Sequence, residues 1–127
     1  MDIQNINEVT AFTTKDGSEI RELLASRNSA IAKQSLAEAR LPVGGQTTAH
    51  YHPRTEEIYY ILEGHGRMQI DEELRDVGPG DAIAIPPGNI HQITNVGDVQ
   101  LKFLCCCAPE YEDGDTVLVE TQKKFQR

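Results

Sequence analysis

Short apolar bursts separated by turn residues run the length of this chain, and the bursts are too brief for ordinary helices. IYYIL at 58 to 62 and DAIAI at 81 to 85 are rich in β-branched, aromatic and small apolar residues, a composition that suits a pleated surface. Among these segments stand Asp16-Gly17, Pro42 to Gly45, Gly64 to Gly66, Gly78-Pro79-Gly80, Pro86-Pro87-Gly88 and Gly97-Asp98. Short strands with turn signals at this spacing predict an all-β sandwich or barrel. Because IYYIL and DAIAI are apolar at successive positions, each is expected to lie between a barrel interior and a second covering layer.

Two stretches run against this pattern. SEIRELLAS at 18 to 26 spaces Ile20, Leu23 and Leu24 like a helical face, and AIAKQSLAEARL at 30 to 41 is rich in helix formers. The second is nevertheless expected to be mostly strand, because it leads into a β-like segment and tertiary context overrides a weak propensity. The tail EYEDGDTVLVETQKKFQR starts acidic and loop-like, offers a strand at TVLVE and ends basic. No repeat, low-complexity tract or linker interrupts the chain, so one domain over residues 1–127 is expected.

At 127 residues the chain can bury a core without disulfides or a structural metal. Its net charge of −8 argues against broad contact with a nucleic-acid backbone, which needs clustered Lys and Arg to displace counterions. A small-molecule or protein partner fits better, and no segment is left over for a helix-turn-helix. The start MDIQNINEVTAF has neither a basic opening nor the apolar run of a signal peptide, and no later segment reaches membrane-spanning length. A cytoplasmic location is the expectation. All three cysteines fall at Cys105, Cys106 and Cys107, which suits reduced thiols in a strand rather than a disulfide framework. Strand alternation puts Cys105 and Cys107 on the side of Phe103, and Cys106 on that of Leu104. Small apolar packing is their expected role, with approach of one thiol to a ligand pocket as the alternative.

The chemistry concentrates in AHYHPRTEEIYYILEG, residues 49 to 64. His50 and His52 are two apart, so on a strand both imidazoles leave the same face while Tyr51 leaves the other. Glu57 is an odd number of positions from His52 and joins that face only if the chain bends, which Pro53 and the RTE stretch permit. His91 follows the Pro86-Pro87-Gly88 turn and opens another possible strand, HQIT, so a third imidazole can reach the same place. Three imidazoles and a carboxylate form a borderline-to-hard donor set suited to one divalent transition metal: Fe, Mn, Ni, Zn, Co or Cu.

In their spacing, Gly44, His50, His52, Glu57 and Gly64 resemble the first sequence motif of the cupin superfamily, and Gly80, Pro86, Gly88, His91 and Asn95 resemble the second. The stretch 65 to 79 between them has the compact length of small bacterial single-domain cupins, described as mannose-6-phosphate-isomerase-like or dioxygenase-like. The resemblance covers a core of about 35–108 and implies a double-stranded β-helix, the cupin jelly-roll barrel. It implies a metal held by His50, His52, Glu57 and His91, with Glu57 selected over Glu56 by the spacing to Gly64. Glu57 then either stays a ligand or dissociates to act as a catalytic base. Such proteins are commonly homodimers whose N-terminal strands add to the partner's sheet, and the outward apolar positions Ile58, Tyr60 and Leu62 are compatible with that.

Other residues take lesser expectations. Tyr59 and Ile61 share parity with Glu57 and are expected to line the cavity. Arg54 sits in the loop after the histidine pair, either as a clamp for a substrate carboxylate or as a solvated charge. Glu56 is expected at the rim, His65 in a solvated hairpin, Asn95 in a hydrogen-bonded turn, and Asp71-Glu72-Glu73 at a hairpin tip. The segment Glu110 to Asp115 is a candidate lid. The cupin fold hosts many chemistries. The expected function is therefore a metal-dependent enzyme acting on an oxygenated small molecule, of dioxygenase, isomerase, cyclase, lyase or decarboxylase type. The alternative is a non-catalytic metal-containing module that binds a sugar or organic acid.

Overall fold

The computed structural model describes residues 1 to 119 and consists of strands and two short 3-10 turns, Ile6–Glu8 and Asp113–Asp115. Eleven strands are formed: β1 Phe12–Thr13, β2 Glu19–Leu24, β3 Ser35–Leu41, β4 His50–Tyr51, β5 Glu56–Glu63, β6 Gly66–Ile70, β7 Glu73–Val77, β8 Ala82–Ile85, β9 His91–Asn95, β10 Leu101–Ala108 and β11 Val117–Leu118. They pair into a six-stranded sheet in the order β1-β2-β3-β10-β5-β8 and a five-stranded sheet in the order β11-β4-β9-β6-β7. All the pairings are antiparallel. The fold is the expected all-β jelly roll.

Strict alternation builds the interior. Along β10 the residues Leu101, Phe103, Cys105 and Cys107 are buried while their neighbours are half-buried, and β5 buries Glu57, Tyr59 and Ile61. Leu41, Ile61, Ile93, Leu101 and Phe103 are almost wholly removed from water, each worth about 1.5–3 kcal/mol relative to exposure. The apolar core fills the end of the sandwich away from the histidines, leaving polar residues to meet at the other end.

The two stretches with helical character are strands. β3 hydrogen-bonds along its length to both β2 and β10, and this double pairing, with Ala39 and Leu41 buried, outweighs the helix preference of its residues. Residues 30 to 34, the start of that stretch, stay outside any strand. In the tail, the strand expected at TVLVE is β11, which pairs Val117 with Tyr51 and Leu118 with His50. Glu120 and the basic end lie outside the described residues.

One expectation is corrected. Among the described residues no second layer covers β5: Ile58, Tyr60 and Leu62 are 50%, 42% and 40% exposed, and Ala82 and Ala84 of β8 are exposed beside them. The period-two strand buries one face only, so the apolar residues on the other face remain open among the described residues. The N-terminal hairpin β1–β2 adds to the chain's own sheet through β3.

Gly64, where β5 turns towards β6, has φ +86, and a Cβ there would stand 2.6 Å from the Gln100 carbonyl oxygen. Close approach of the β9–β10 loop therefore demands glycine. Asn95, at the end of β9, is buried and behaves as the hydrogen-bonding residue expected. Its amide donates to the Leu41 and Val99 carbonyls and its oxygen accepts from Gly97 N–H.

Candidate metal centre

The histidines reach one point from two neighbouring strands. His50 on β4 is directly paired with His91 on β9, and their ring centroids are 4.2 Å apart. His52 lies just past the end of β4, its ring centroid 5.1 Å from that of His50 and 5.5 Å from that of His91. One ring nitrogen from each of the three falls within 4.8 Å of the other two, and all three residues are buried.

Glu57 comes from the other sheet. β4 ends at Tyr51, the chain crosses at residues 52 to 55, and β5 starts at Glu56, so the bend at Pro53 does reset the strand parity. Glu57 Oε1 then lies 3.4 Å from His52 Nε2 and 3.5 Å from His91 Nε2. Cys107 Sγ donates to the other carboxylate oxygen at 3.3 Å.

Backbone carbonyls fix the ring orientations. His50 Nδ1 donates to Thr48 O at 2.7 Å, His52 Nδ1 to Asp115 O at 3.1 Å and His91 Nδ1 to Asn89 O at 3.0 Å. A carbonyl oxygen only accepts, so each Nδ1 carries its hydrogen and each neutral ring turns an Nε2 lone pair inwards. These lone pairs face a carboxylate that is also an acceptor. Glu57 Oε1 and His91 Nε2 are buried without a hydrogen-bond partner, a costly arrangement unless a cation is shared among them. The donors therefore fit a divalent transition metal, which imidazole and carboxylate suit.

Electrostatics favours the same occupant. Burial alone would raise the Glu57 pKa, but His52 and His91, wherever they take up a second proton, would donate to it and hold it down to about 2, so the carboxylate is anionic and a metal cation would take the place of those protons. Burial lowers the His52 pKa, and Glu57 together with Asp115 more than reverses this to give a net rise. Burial together with the nearby His91 lowers that of His50.

The pocket above the histidines is lined by Phe12, Ile20, Ala37, Ala39, Tyr59 and Phe103 among others, and its enclosed part is about 40 Å³. That volume admits an ion and a couple of waters. Tyr59 is buried with its ring 5.9 Å from that of His91 and 4.6 Å from that of Phe103. Ile61, expected beside it, sits in the apolar core and does not line the pocket, because its next inward position is one pleat deeper. Arg54 is exposed and its side chain does not line the pocket, while its backbone N–H donates to the Asp115 carboxylate. Cys105 and Cys107 both line the pocket while packing as small apolar groups, which unites the two roles weighed for them. Burial and then the Glu57 charge push both thiol pKa values up, keeping them neutral.

Glu56 and His65 are exposed, as expected of a rim and a hairpin residue. The Asp71-Glu72-Glu73 tip is exposed, and Asp71 adopts φ 51 with its carboxylate accepting from Asn89 Nδ2 and Ile90 N–H, just before His91. The segment Glu110 to Asp115 is firmly tied down. The Glu110 carboxylate accepts from Ser26, and buried Asp115 accepts from Arg54 N–H and Thr55 N–H while its carbonyl receives His52 Nδ1–H. Tyr111, between them, lines the pocket with its ring 6.1 Å from that of His52. Sequence reasoning missed Asp16, which lines the pocket from the β1–β2 turn with Oδ2 3.4 Å from His50 Nε2. Its Asp-Gly setting reads as turn chemistry, and no local signal shows that the turn folds over the barrel mouth.

Comparison with known proteins agrees with this architecture. A family model described as a cupin domain matches residues 37 to 107. The chain is 51% identical to an uncharacterized protein of Methanocaldococcus jannaschii over 114 residues, 90% of this chain and 91% of that one. It is 31% identical to a Thermotoga maritima protein named as oxalate-binding over 86 residues, 68% of this chain and 71% of the relative. The solved structure of the polyketide cyclase RemF from Streptomyces resistomycificus superposes with a TM-score of 0.77 at 25% identity, covering 94% of this chain and 85% of that one. The jelly-roll sheets, the histidines meeting across β4 and β9, and the family match over more than half its length make this chain a member of the cupin superfamily.

Proposed function

We propose that this chain is a metal-dependent enzyme that acts on an oxygenated small molecule such as a sugar acid, keto-enol or phenolic compound. The observation that carries the proposal is the convergence of three imidazole lone pairs and the unpartnered Glu57 Oε1 in a buried cluster. In this reading His50, His52, His91 and Glu57 hold one divalent ion. When bound, that ion supplies Lewis-acid stabilisation of developing enolate charge or, with Fe, Mn, Ni or Cu, a redox centre for oxygen chemistry.

The chain's own groups prepare the site. The carbonyls of Thr48, Asn89 and Asp115 hold the Nε2 atoms inwards, and the Cys107 thiol orients Glu57 through Oε2. The depressed proton affinity of Glu57 suits a ligand better than a general base. Apolar Phe12, Ile20, Ala37 and Ala39 limit water around the reacting groups. The enclosed space is smaller than a sugar ring, so a substrate of that size requires displacement of the half-exposed Phe12 at the rim. The polyketide cyclase among the similar structures supports an enzyme.

The relative named as oxalate-binding favours a second reading, a metal-containing module that captures an organic acid without turning it over. The proposal also includes a cytoplasmic location and a homodimer. The exposed stripe of Ile58, Tyr60 and Leu62 supports the dimer. No described helix is long and apolar enough to cross a membrane.

The test is elemental analysis of protein purified without a metal-affinity tag, with His91→Ala as control. Stoichiometric metal lost in the variant supports the centre, and turnover of enolic or phenolic compounds then separates enzyme from binder. Oxalate binding without turnover of any of them would favour the binder. Absence of metal even after adding Mn, Fe, Co, Ni, Cu or Zn would overturn the proposal.

A further inference from the structure

Asp16 adjoins the cluster of three imidazoles on the His50 side, and no feature of the two cupin motifs includes it. It lies in the turn between β1 and β2, is only 9% exposed, and has its two carboxylate oxygens in different surroundings. Oδ1 accepts three hydrogen bonds, from Thr14 Oγ1 at 2.8 Å, Ser18 N–H at 2.9 Å and Ser18 Oγ at 2.7 Å. Oδ2 faces His50 Nε2 at 3.4 Å. One oxygen anchored by the protein and the other free beside an imidazole lone pair is how carboxylate ligands are commonly held.

The turn is also fixed relative to His50. Thr48 N–H donates to the Asp16 carbonyl at 2.7 Å, and the Thr48 carbonyl accepts from His50 Nδ1. A single residue therefore sets the position of both side chains. The Nδ1 bond leaves His50 Nε2 as an acceptor when the ring is neutral, so Asp16 Oδ2 and His50 Nε2 are two acceptors face to face. The 3.4 Å separation matches that between Glu57 Oε1 and His52 Nε2, and a cation held between the two acceptors would turn their repulsion into attraction.

We propose that Asp16 is a further ligand of the metal centre, binding through Oδ2 next to His50. This rests on the reading that His50, His52, Glu57 and His91 hold an ion. With Asp16 the donor set becomes three imidazoles and two carboxylates, which shifts preference towards harder ions such as Mn²⁺ and Fe²⁺. Two carboxylates also balance the charge of a divalent ion, and five protein ligands leave one octahedral position for a water or a substrate oxygen.

The experiment uses the bare divalent ion as probe, Mn²⁺ first and then Co²⁺ and Zn²⁺. Metal-free full-length protein, Asp16→Asn and His91→Ala are titrated by calorimetry, and the native protein is crystallised with Mn²⁺. The side-chain amide introduced by Asp16→Asn keeps an oxygen for Ser18 and loses the anionic donor. The expected result is Mn²⁺ binding weakened on the order of 10- to 100-fold or more in Asp16→Asn, with Asp16 Oδ2 bonded to the ion at about 2.0–2.3 Å in the crystal. Native binding with Asp16→Asn within twofold of it, or an ion separated from Oδ2 by a water, overturns the ligand assignment while leaving the four-residue centre intact. Failure of the native protein to bind Mn²⁺, Co²⁺ or Zn²⁺ overturns the centre itself. Should Asp16→Asn not fold, the crystal distance in the native chain decides.

Discussion

His50 and His91 stand directly opposite one another across the antiparallel β4–β9 pair, with their rings 4.2 Å apart and almost no exposure to water. Two imidazoles forced together this closely repel one another when both are protonated. Their backbone hydrogen bonds aim both lone pairs at one place. Strand register, rather than a flexible loop, therefore sets the spacing of two candidate ligands.

His91→Ala removes one of the three converging nitrogens. Metal content measured by elemental analysis is expected to fall below a tenth of the native value, with affinity reduced at least about 100-fold. That is no less than what loss of a supporting contact alone costs. Far-ultraviolet circular dichroism is expected to remain that of a β protein.

Asp115→Ala leaves the N–H groups of Arg54 and Thr55 without their shared acceptor. The unmet donors cost about 1–3 kcal/mol, read as a lowered midpoint in urea. Displacement of the Asp115 carbonyl from His52 Nδ1 is expected to weaken metal binding roughly 10-fold as well. Unchanged stability would refute the role given to this carboxylate.

Gly64→Ala forces a side chain into a left-handed backbone position and against the Gln100 carbonyl. Destabilisation of at least about 2 kcal/mol is expected. Gly80→Ala has a positive φ but open space around its Cβ, so it should cost less, and thermal melts of the two variants compare strain with and without a clash.

Alkaline pH is expected to erode stability through Cys105. Burial, then the Glu57 charge, raises its pKa well above the ordinary value in the folded chain, whereas an unfolded thiol ionises near about 8.5. The folded state thus keeps a proton the unfolded state loses. The contribution is complete below about pH 8.5 and is lost as pH rises past it, by up to about 1.4 kcal/mol per pH unit for each such group. Melting temperatures from pH 7 to 10 should fall more steeply for the native chain than for Cys105→Ala.

If the open face of β5 pairs two copies, Ile58→Lys combined with Leu62→Lys converts dimers to monomers by light scattering without loss of bound metal. A native chain that is monomeric at high concentration would remove the homodimer from the proposal.

The sequence by itself determined the all-β class, because frequent Gly and Pro turns leave apolar bursts too short for helices. It also determined that His50 and His52 share a face, since strand geometry repeats every two residues, and motif spacing brought Glu57 and His91 into the same candidate set. Tertiary structure decided the rest. Ser35–Leu41 became a strand because β2 and β10 bond both its edges, a non-local term that outweighs helix propensity. Ile58, Tyr60 and Leu62 were left open because nothing else in the described chain packs on that face. Tyr59 reaches the pocket while Ile61 sinks into the core, a difference of depth that shared parity does not encode. Asp16 and Asp115 reached His50 and His52 across 34 and 63 positions of chain, because the β1–β2 turn and the segment before β11 both fold onto the same end of the barrel. Such contacts depend on how two sheets close, and local sequence carries no period that reports it.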